Sequence, residues 1–376
     1  MDIYKRIITV IICVSTLCLS LMFVFGKKRD FLENENRTPA KFPELTVDSL
    51  IDGKFTSELE EYMKDHFPFR DNMMKIKTGS QLFSGYKRID GTFISDERLF
   101  QEVKNPDKTR ITKSANKLID AIDNKNIKST VILIPSATEI YPEDLPYHSP
   151  VIDQSAVIDD ILADINCTFP INPTEHLISA KATGNVFYLS DHHWTSHAAL
   201  SVFIKYCETV GIEHIEYDQY QKQTVTDSFK GTLYSRVPNN KYIDSIDVYS
   251  APDVTFTASY ANSAMDELTE TEYFVSEKLN DKDKYCYFGG GNPPITVLEN
   301  TSSASEDEIV IVKDSFANCF APYLAEHFKK VHIIDPRYYK GKRISEYINE
   351  NPAVTHLLIM YGLNSLNDNS GVSTMS

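Results

Sequence analysis

The stretch from Thr130 to Pro135 reads TVILIP. It is a continuous apolar run rich in β-branched side chains, and the proline at its end donates no backbone hydrogen bond. The preceding residues, 108–124, carry apolar side chains at helical spacing. A continuously apolar strand directly after a helix is typical of a parallel sheet covered by helices on both faces. We therefore predict an α/β domain with a mostly parallel sheet.

The same alternation of apolar strands and helices recurs further along the chain. The sequence predicts strands over 186–189, 308–312, 331–334 and 356–360, and helices over 154–165, 196–210, 318–328 and 344–350. Residues 221–303 differ, because they are rich in Thr, Tyr, Val and Asp and show little helical periodicity. We expect a β-rich, antiparallel insertion or flap there.

The N-terminal segment contains no charged residue between Ile7 and Gly26, and basic residues flank this run on both sides. At about 1.5 Å per residue, a helix of this length crosses a hydrocarbon core of roughly 30 Å. The bulky residues at its end offer no small-x-small cleavage site. We predict an uncleaved, single-pass signal-anchor that holds the body of the chain outside the cytoplasm. Cleavage of the run as a signal peptide would give a secreted protein instead.

Three segments follow from these patterns. We predict a transmembrane helix at 1–27, a tether and helical segment that packs on the core at 28–105, and the α/β domain at 106–376, with its insertion at about 221–303. Within the second segment, residues 65–70 read DHFPFR between two predicted helices. We expect Phe67 and Phe69 to be core anchors and Arg70 to pair with a carboxylate.

The composition excludes several classes of protein. The chain has 376 residues, of which 42% are hydrophobic, so it folds rather than staying disordered. Its net charge of -15 repels phosphate backbones, which argues against nucleic-acid binding. The six cysteines form no C-x-x-C motif, which argues against a zinc knuckle or a thioredoxin-type site. The four cysteines of the body either form one or two disulfides or stay free; they are Cys167, Cys207, Cys286 and Cys319.

Polar side chains follow several of the predicted strands. Ligands of open parallel sheets bind beyond the carboxyl ends of the strands, so we expect these side chains to converge on one site. They are Asp191, His193, Ser315, Arg337, Tyr361 and Asn364.

Three of these residues have the chemistry of a catalytic triad. Ser315 follows the predicted strand 308–312 at a turn into a helix, where the first amides would face developing negative charge. A serine needs a base to become a nucleophile, and His193 can take its proton. Asp191, two residues before His193, can fix the imidazole tautomer and stabilise the imidazolium. The sequence therefore predicts Ser315, His193 and Asp191 as nucleophile, base and orienting carboxylate.

Two of the three residues also have a purely structural interpretation. Ser315 is a suitable N-cap for the helix that follows it, with Asp314 as an alternative cap. Asp191 is likewise a suitable cap for the helix predicted over 196–210.

A metal site is the main chemical alternative. His193 and His197 are four residues apart, which is a zinc-ligand spacing on a helix, and Asp191 lies beside them. The residue after His193 is Trp194 rather than the glutamate of a metalloprotease motif. We expect Trp194 to pack in the core or to form a wall of the cleft. Our prediction is the triad, with neither a metal nor a cofactor.

The DHHW tetrapeptide at 191–194, together with the later Asp-Ser-Phe at 314–316, resembles the DHHW protein family. That family is similar to the SGNH-hydrolase-like proteins of alginate O-acetylation. The likeness covers most of the chain and includes Asn36–Arg37, the DHFPFR segment, FKGTL at 229–233 and GGN at 290–292. The resemblance implies an SGNH-hydrolase-like three-layer sandwich.

The resemblance also implies an activity. It implies that an acetyl group forms an ester with Ser315 and passes to a sugar hydroxyl or to water, so that the protein is an O-acetyltransferase or an acetylesterase of a cell-surface or exopolysaccharide glycan. Asn364 would help hold the oxyanion, and Arg337, Tyr361 and Trp194 are further oxyanion or substrate-binding candidates. The implied partners are the glycan acceptor and a membrane-bound O-acyltransferase as acetyl donor. A non-catalytic scaffold subunit of such an acetylation system is the alternative.

Overall fold

The computed structural model describes residues 2–30, 32, 38–124, 126–238, 241–263, 265–302, 305–367 and 371–374. The Asn36–Arg37 pair of the resemblance lies outside these residues. The chain forms two compact units, Met1–Ile89 with Ser235–Pro238, and Asp90–Tyr234 with Asn239–Ser376. The domain boundaries at residues 27 and 105 stay a prediction.

The first unit is mainly helical. Its elements are α1 (Asp2–Phe25), α2 (Val47–Ile51), α3 (Lys54–His66), α4 (Arg70–Phe83) and the short strand β1 (Arg88–Ile89). The stretch Ile3–Phe25 within α1 is long and apolar enough to cross a membrane, and none of it is buried. The predicted N-terminal apolar helix is therefore confirmed.

The segment at 65–70 corrects one expectation and confirms another. Phe67 and Phe69 are 40% and 50% exposed, so the prediction that they are core anchors is wrong. Arg70 does pair with a carboxylate, because its Nη2 lies 3.8 Å from Oδ1 of the buried Asp65.

The second unit alternates strands and helices. Its strands are β2 (Thr92–Ile94), β3 (Leu99–Gln101), β4 (Lys128–Ile134), β5 (Phe169–Ile171), β6 (Gln221–Phe229), β7 (Asp244–Ser250), β8 (Phe256–Ala261), β9 (Thr269–Thr271), β10 (Ile295–Asn300), β11 (Glu308–Lys313), β12 (Lys330–Ile334) and β13 (Val354–Gly362). The remaining helices are α5 (Lys108–Asp120), α6 (Ala137–Ile140), α7 (Gln154–Leu162), α8 (Thr174–Ala180), α9 (Ser196–Val210), α10 (Thr232–Arg236), α11 (Ala321–Leu324) and α12 (Ile344–Asn349).

Eight strands form the main sheet, in the order β5-β4-β13-β11-β12-β10-β8-β9. The first five are parallel to one another, and the last three are antiparallel to their neighbours. The prediction of a mostly parallel sheet is confirmed. The insertion is antiparallel as expected, but β8, β9 and β10 extend the main sheet instead of forming a separate flap. Within the described part of the insertion, β6 and β7 pair as a ribbon of their own.

Side chains alternate along the central strands, so that a core forms on each face of the sheet. On β11, Ile309 and Ile311 enter one core, and Val310 and Val312 enter the other. Helices α9 and α11 cover the first face, whereas α5, α7 and α12 cover the second. The result is a three-layer α/β/α sandwich in which β11 has parallel neighbours on both sides.

Two predicted elements differ from the structure. Residues 186–189 form no strand of the sheet, because their backbone pairs with the residues that follow: Phe187 and Trp194 form an isolated antiparallel bridge, and Thr195 N donates to Val186 O at 3.0 Å. The helix predicted over 318–328 is replaced by a short 3-10 helix, Ser315–Cys319, and the four-residue α11. The six cysteines, all within the described ranges, are free.

Candidate active site

The turn after β11 presents Ser315. Asp314 caps the 3-10 helix Ser315–Cys319, since its Oδ1 accepts a hydrogen bond from Phe316 N at 2.9 Å. Its Oδ2 accepts a second bond from Gly362 N at 2.8 Å, at the end of the neighbouring strand β13. Asp314 thus fixes the turn, and the hydroxyl of Ser315 is left for other partners. The interpretation of Ser315 as the helix cap is wrong.

The loop before α9 presents Asp191 and His193. Asp244, at the start of β7, holds this loop, because its carboxylate accepts hydrogen bonds from Leu189 N at 2.7 Å and from Ser190 N at 3.0 Å. The cap of α9 is Thr195, whose hydroxyl accepts from Ala198 N. Asp191 is therefore free of the capping role that the sequence also allowed.

The structure brings Ser315, His193 and Asp191 together in one hydrogen-bonded chain. The Oγ of Ser315 lies 2.7 Å from Nε2 of His193, and Nδ1 of His193 lies 2.6 Å from Oδ1 of Asp191. With the proton on Nδ1, the imidazole donates to the carboxylate and accepts from the serine hydroxyl. This is the arrangement in which a histidine acts as general base toward a serine.

The second carboxylate oxygen of Asp191 is also bound. Its Oδ2 accepts hydrogen bonds from Thr232 N at 2.7 Å and from Thr232 Oγ1 at 3.0 Å. The backbone passes so close here that a Cβ on Gly231 would lie 2.2 Å from Cβ of Asp191. Burial alone would raise the pKa of Asp191, but the neighbouring His192 and His193 and the hydrogen bonds from His193 and Thr232 hold it well below its ordinary value. Asp191 is therefore an anion at neutral pH.

Tyr285, which the sequence did not single out, forms one wall of the triad. Its ring stacks on that of His193, with centroids 4.0 Å apart and planes inclined by 11°. Its hydroxyl donates to the carbonyl oxygen of Ser315 at 3.1 Å. Burial raises the pKa of Tyr285 well above its ordinary value, so the hydroxyl remains a donor at all working pH values. No motif marks this tyrosine, which lies in a short 3-10 helix of the insertion, Lys284–Tyr287.

Trp194 lies in the core and not on the surface of a cleft. It is fully buried, and its indole Nε1 donates to the carbonyl oxygen of Phe316 at 2.8 Å. We expected Trp194 either in the core or in a wall of the cleft, and the core is confirmed. Because its side chain is 0% exposed, it presents no surface to a substrate. Its hydrogen bond instead ties the histidine loop to the serine turn.

The remaining candidates have other partners. Arg337 Nη2 lies 2.5 Å from Asp335, which also pairs with the buried Lys313 at 3.2 Å. Tyr361 is buried in the core on the face of the sheet that α5 covers, and its hydroxyl has no partner among the described residues. The Nδ2 of Asn364 donates to the side chain of Gln101 at 3.2 Å.

Within the described ranges, no hydrogen bond, ion pair or ring contact joins Arg337, Tyr361 or Asn364 to the triad. Their roles in holding an oxyanion stay predictions, and burial counts against Tyr361.

The metal site expected as the alternative is not assembled. Nδ1 of His197 lies 2.5 Å from the hydroxyl of Tyr217, and its Nε2 lies 3.1 Å from the carbonyl oxygen of Ala180. Among the described residues, the potential ligand atoms that lie within 4.8 Å of one another belong to Asp191, His192 and His193. The combination of Asp191, His193 and His197 is therefore wrong.

Comparisons with known proteins agree with the fold. The family model described as DHHW protein matches residues 115–334. A DHHW family protein from Eubacterium siraeum DSM 15702 is 18% identical, with 76% of this chain and 95% of that chain covered and a TM-score of 0.64. Bacillus cereus PatB1, in its structure with sulfonyl adduct, is 21% identical in sequence to this chain. The match covers 76% of this chain and 98% of PatB1, with a TM-score of 0.63.

A third solved structure is more distant. The O-acetyltransferase domain of Pseudomonas putida AlgJ is 12% identical, with 74% of this chain and 92% of that chain covered and a TM-score of 0.44. Among curated protein sequences, none matches this chain significantly.

Proposed function

We propose, from the premise that this chain belongs to the DHHW protein family, that it is a serine-dependent O-acetyltransferase or acetylesterase of a cell-surface or exopolysaccharide glycan. The observation that carries the proposal is the hydrogen-bonded chain from Ser315 through His193 to Asp191, with distances of 2.7 Å and 2.6 Å. The 2.7 Å distance is within the range in which a proton passes from a nucleophile to its base, and the 2.6 Å distance is that of a hydrogen bond by which Asp191 orients the base.

The first half of the reaction places the acetyl group on the enzyme. Ser315 Oγ attacks the acetyl carbonyl carbon while Nε2 of His193 takes the hydroxyl proton. The tetrahedral intermediate then expels the donor oxygen, which leaves with the proton that His193 returns. The product is an acetyl ester on Ser315. Asp191 stays ionised throughout and stabilises the imidazolium, which its low pKa permits.

The second half removes the acetyl group. A sugar hydroxyl attacks the ester carbonyl and gives its proton to His193, and Ser315 leaves and takes that proton back. If water attacks, the same steps make the protein an esterase. The second product is therefore an acetylated sugar or free acetate.

The acetyl donor and the glycan acceptor come from the family resemblance. The DHHW tetrapeptide and the Asp-Ser-Phe turn are similar to those of alginate O-acetylation proteins, which supports a glycan hydroxyl as acceptor. The apolar stretch Ile3–Phe25 supports a location at the membrane, and we propose that the catalytic unit lies outside the cytoplasm. There it would receive acetyl groups from a membrane-bound O-acyltransferase.

Ester turnover by the full-length chain in detergent micelles tests the proposal. We expect hydrolysis of p-nitrophenyl acetate that is lost in Ser315→Ala and in His193→Ala and is unaffected by EDTA. A sulfonyl fluoride should add covalently to the native chain, as seen by intact mass, and not to Ser315→Ala. Turnover that survives Ser315→Ala would contradict the serine mechanism. Absence of both turnover and labelling would favour the scaffold alternative.

A further inference from the structure

The turn between α3 and α4 exposes two aromatic side chains that no core takes up. Phe67 and Phe69 flank Pro68, and both phenylalanines are well exposed. The backbone of Phe69 is left-handed, with φ 59° and ψ 22°, a conformation that bulky residues rarely adopt. Strained residues persist where the surrounding structure enforces them, and they concentrate at functional positions. Packing in the core therefore does not explain the two phenylalanines, and we infer that this turn has a binding function.

A rigid frame holds this turn. Oδ2 of the buried Asp65 accepts a hydrogen bond from Ala40 N at 2.8 Å. Arg70, which pairs with Asp65, also donates from Nε to Lys64 O at 3.0 Å. The His66 ring contacts Ala40 O through Nε2 at 3.1 Å. These bonds fix the ends of both helices, so the two phenylalanines project from a preorganised support.

The turn lies beside the end of the apolar helix α1. A cavity of about 240 Å³ separates them, and its lining includes Met22, Gly26, Lys28, His66, Phe67 and Phe69. The two sides are also joined directly, because the ring of Phe23 lies 6.1 Å from that of Tyr62 and Arg29 Nη1 lies 2.9 Å from Asp71. The exposed phenylalanines thus occupy the level at which α1 would leave a bilayer.

The charges and rings around this level match a membrane–water interface. Three consecutive basic residues, Lys27, Lys28 and Arg29, line the cavity, and Nζ of Lys28 lies 4.1 Å from the Phe23 ring centroid. Phe42, also exposed, lies 5.3 Å from the ring of Tyr62. Aromatic side chains gather at membrane interfaces, and clustered basic groups there attract anionic headgroups.

We propose that the Phe67-Pro68-Phe69 turn and the basic residues 27–29 form a binding site for an anionic phospholipid of the bilayer that α1 spans. The two phenylalanines enter the layer of glycerol and upper acyl carbons, and the basic groups contact the phosphate. The turn then fixes the height of the first unit above the membrane, which a flexible tether would not do. The inference rests on the proposed membrane anchoring by α1 and is independent of the chemistry at Ser315.

Tryptophan fluorescence of the full-length chain in vesicles tests the site. The reporter is Phe69→Trp, and the native Trp194 is fully buried and gives a constant background. We expect phospholipids brominated near the headgroup to quench the reporter, more strongly in vesicles of phosphatidylcholine with phosphatidylglycerol than in phosphatidylcholine alone. Phe83→Trp is the matched control; it is 95% exposed and lies at the other end of α4 in the same unit, about 20 Å along that helix from Phe69, and it should not be quenched.

Two further variants separate the parts of the site. Lys27→Gln with Lys28→Gln should abolish the extra quenching that phosphatidylglycerol gives. Phe67→Ser with Phe69→Ser should leave α1 in the vesicle and leave acetyl-ester turnover unchanged, which separates this site from the catalytic one. Added inorganic phosphate should not reduce the quenching, since the phenylalanines require the acyl layer.

Several results would overturn the proposal. They are an unquenched Phe69→Trp in phosphatidylglycerol vesicles, equal quenching of Phe83→Trp, displacement by inorganic phosphate, or a chain that does not enter vesicles at all. A catalytically inactive chain with a quenched reporter would leave the lipid site standing and would contradict only the proposed function.

Discussion

Tyr285 stacks on His193 and at the same time donates a hydrogen bond to the backbone of Ser315. One buried side chain therefore contacts both the proposed base and the proposed nucleophile. The stacked ring prevents the imidazole from tilting out of line between its two hydrogen-bond partners. Tyr285 acts through the His193 ring and the Ser315 backbone, so it is a positioning residue. Its hydroxyl can be removed alone or together with its ring.

We expect Tyr285→Phe, which keeps the ring and removes the hydroxyl, to lower kcat/KM for an acetate ester by about fivefold, since a hydrogen bond of this kind contributes about 1 kcal/mol. Tyr285→Leu removes the stacking as well and should raise the activation free energy by about 0.5–1.5 kcal/mol more. Melting temperature and the pH profile of kcat/KM are measured alongside. Equal effects of the two substitutions would contradict the separate role of the ring.

Gly231 is expected to tolerate no side chain, because an added Cβ would lie 2.2 Å from Cβ of Asp191. Gly231→Ala should push the carboxylate away from His193 and lower kcat by about 10²-fold, as displacements of about 1 Å do in catalytic sites. Gly79→Ala, in α4, meets nothing within 4 Å and is the matched control. Full activity of Gly231→Ala would show that Asp191 is not needed in its present position.

The buried carboxylate of Asp335 is shared by Lys313 and Arg337, just behind the serine turn. Asp335→Asn would leave two cations without their counter-ion, and we expect it to lower the free energy of unfolding by about 3–5 kcal/mol. Lys313→Met should lower the free energy of unfolding by less, because Asp335 keeps its ion pair with Arg337. Urea unfolding at neutral pH measures both, and the reverse order of effects would contradict this account.

Glu326 should make stability depend on pH in an unusual direction. Burial raises the pKa of this carboxyl to about 7, despite a hydrogen bond from Tyr220 at 2.7 Å. Between its ordinary pKa of 4.5 and about 7, the folded state holds a proton that the unfolded state has lost. This group therefore stabilises the fold less as pH rises through that window, by up to about 3 kcal/mol.

The matched variant is Glu326→Gln, which stays neutral and keeps an acceptor for Tyr220. We expect it to be more stable than the native chain at pH 8 and about equally stable at pH 4, as measured by urea unfolding. A constant difference between the two proteins across that range would mean that Glu326 titrates normally.

The elements of the α/β unit could largely be predicted from the sequence, because each carries its own pattern. The strands β4, β11, β12 and β13 are continuous apolar runs, and α9 begins at a capping residue, Thr195. Residues 186–189 carry a similar apolar pattern for another reason. Val186, Phe187 and Tyr188 are buried in the core while their backbone pairs locally with the loop that holds Asp191 and His193.

The supports of the candidate site could not be predicted in the same way. Asp191, His193 and Ser315 have the chemistry of a triad and lie in a recognisable motif. Asp244 and Tyr285 lie in the insertion, where neither spacing nor composition distinguishes them from other polar and aromatic residues. Their importance depends on contacts across 30 or more positions of the chain, such as the bonds from Leu189 and Ser190 to Asp244 and from Tyr285 to Ser315.

The hydrogen bond from Trp194 to Phe316 joins segments 122 residues apart. Until these segments meet during folding, Ser315 lies apart from His193, its proposed base. A growing chain completes His193 long before Ser315, and it must also add β13, whose Gly362 binds Asp314, before the turn is fixed. Under the proposed mechanism, ester turnover should therefore appear only once folding is complete, and nascent or truncated chains should show none.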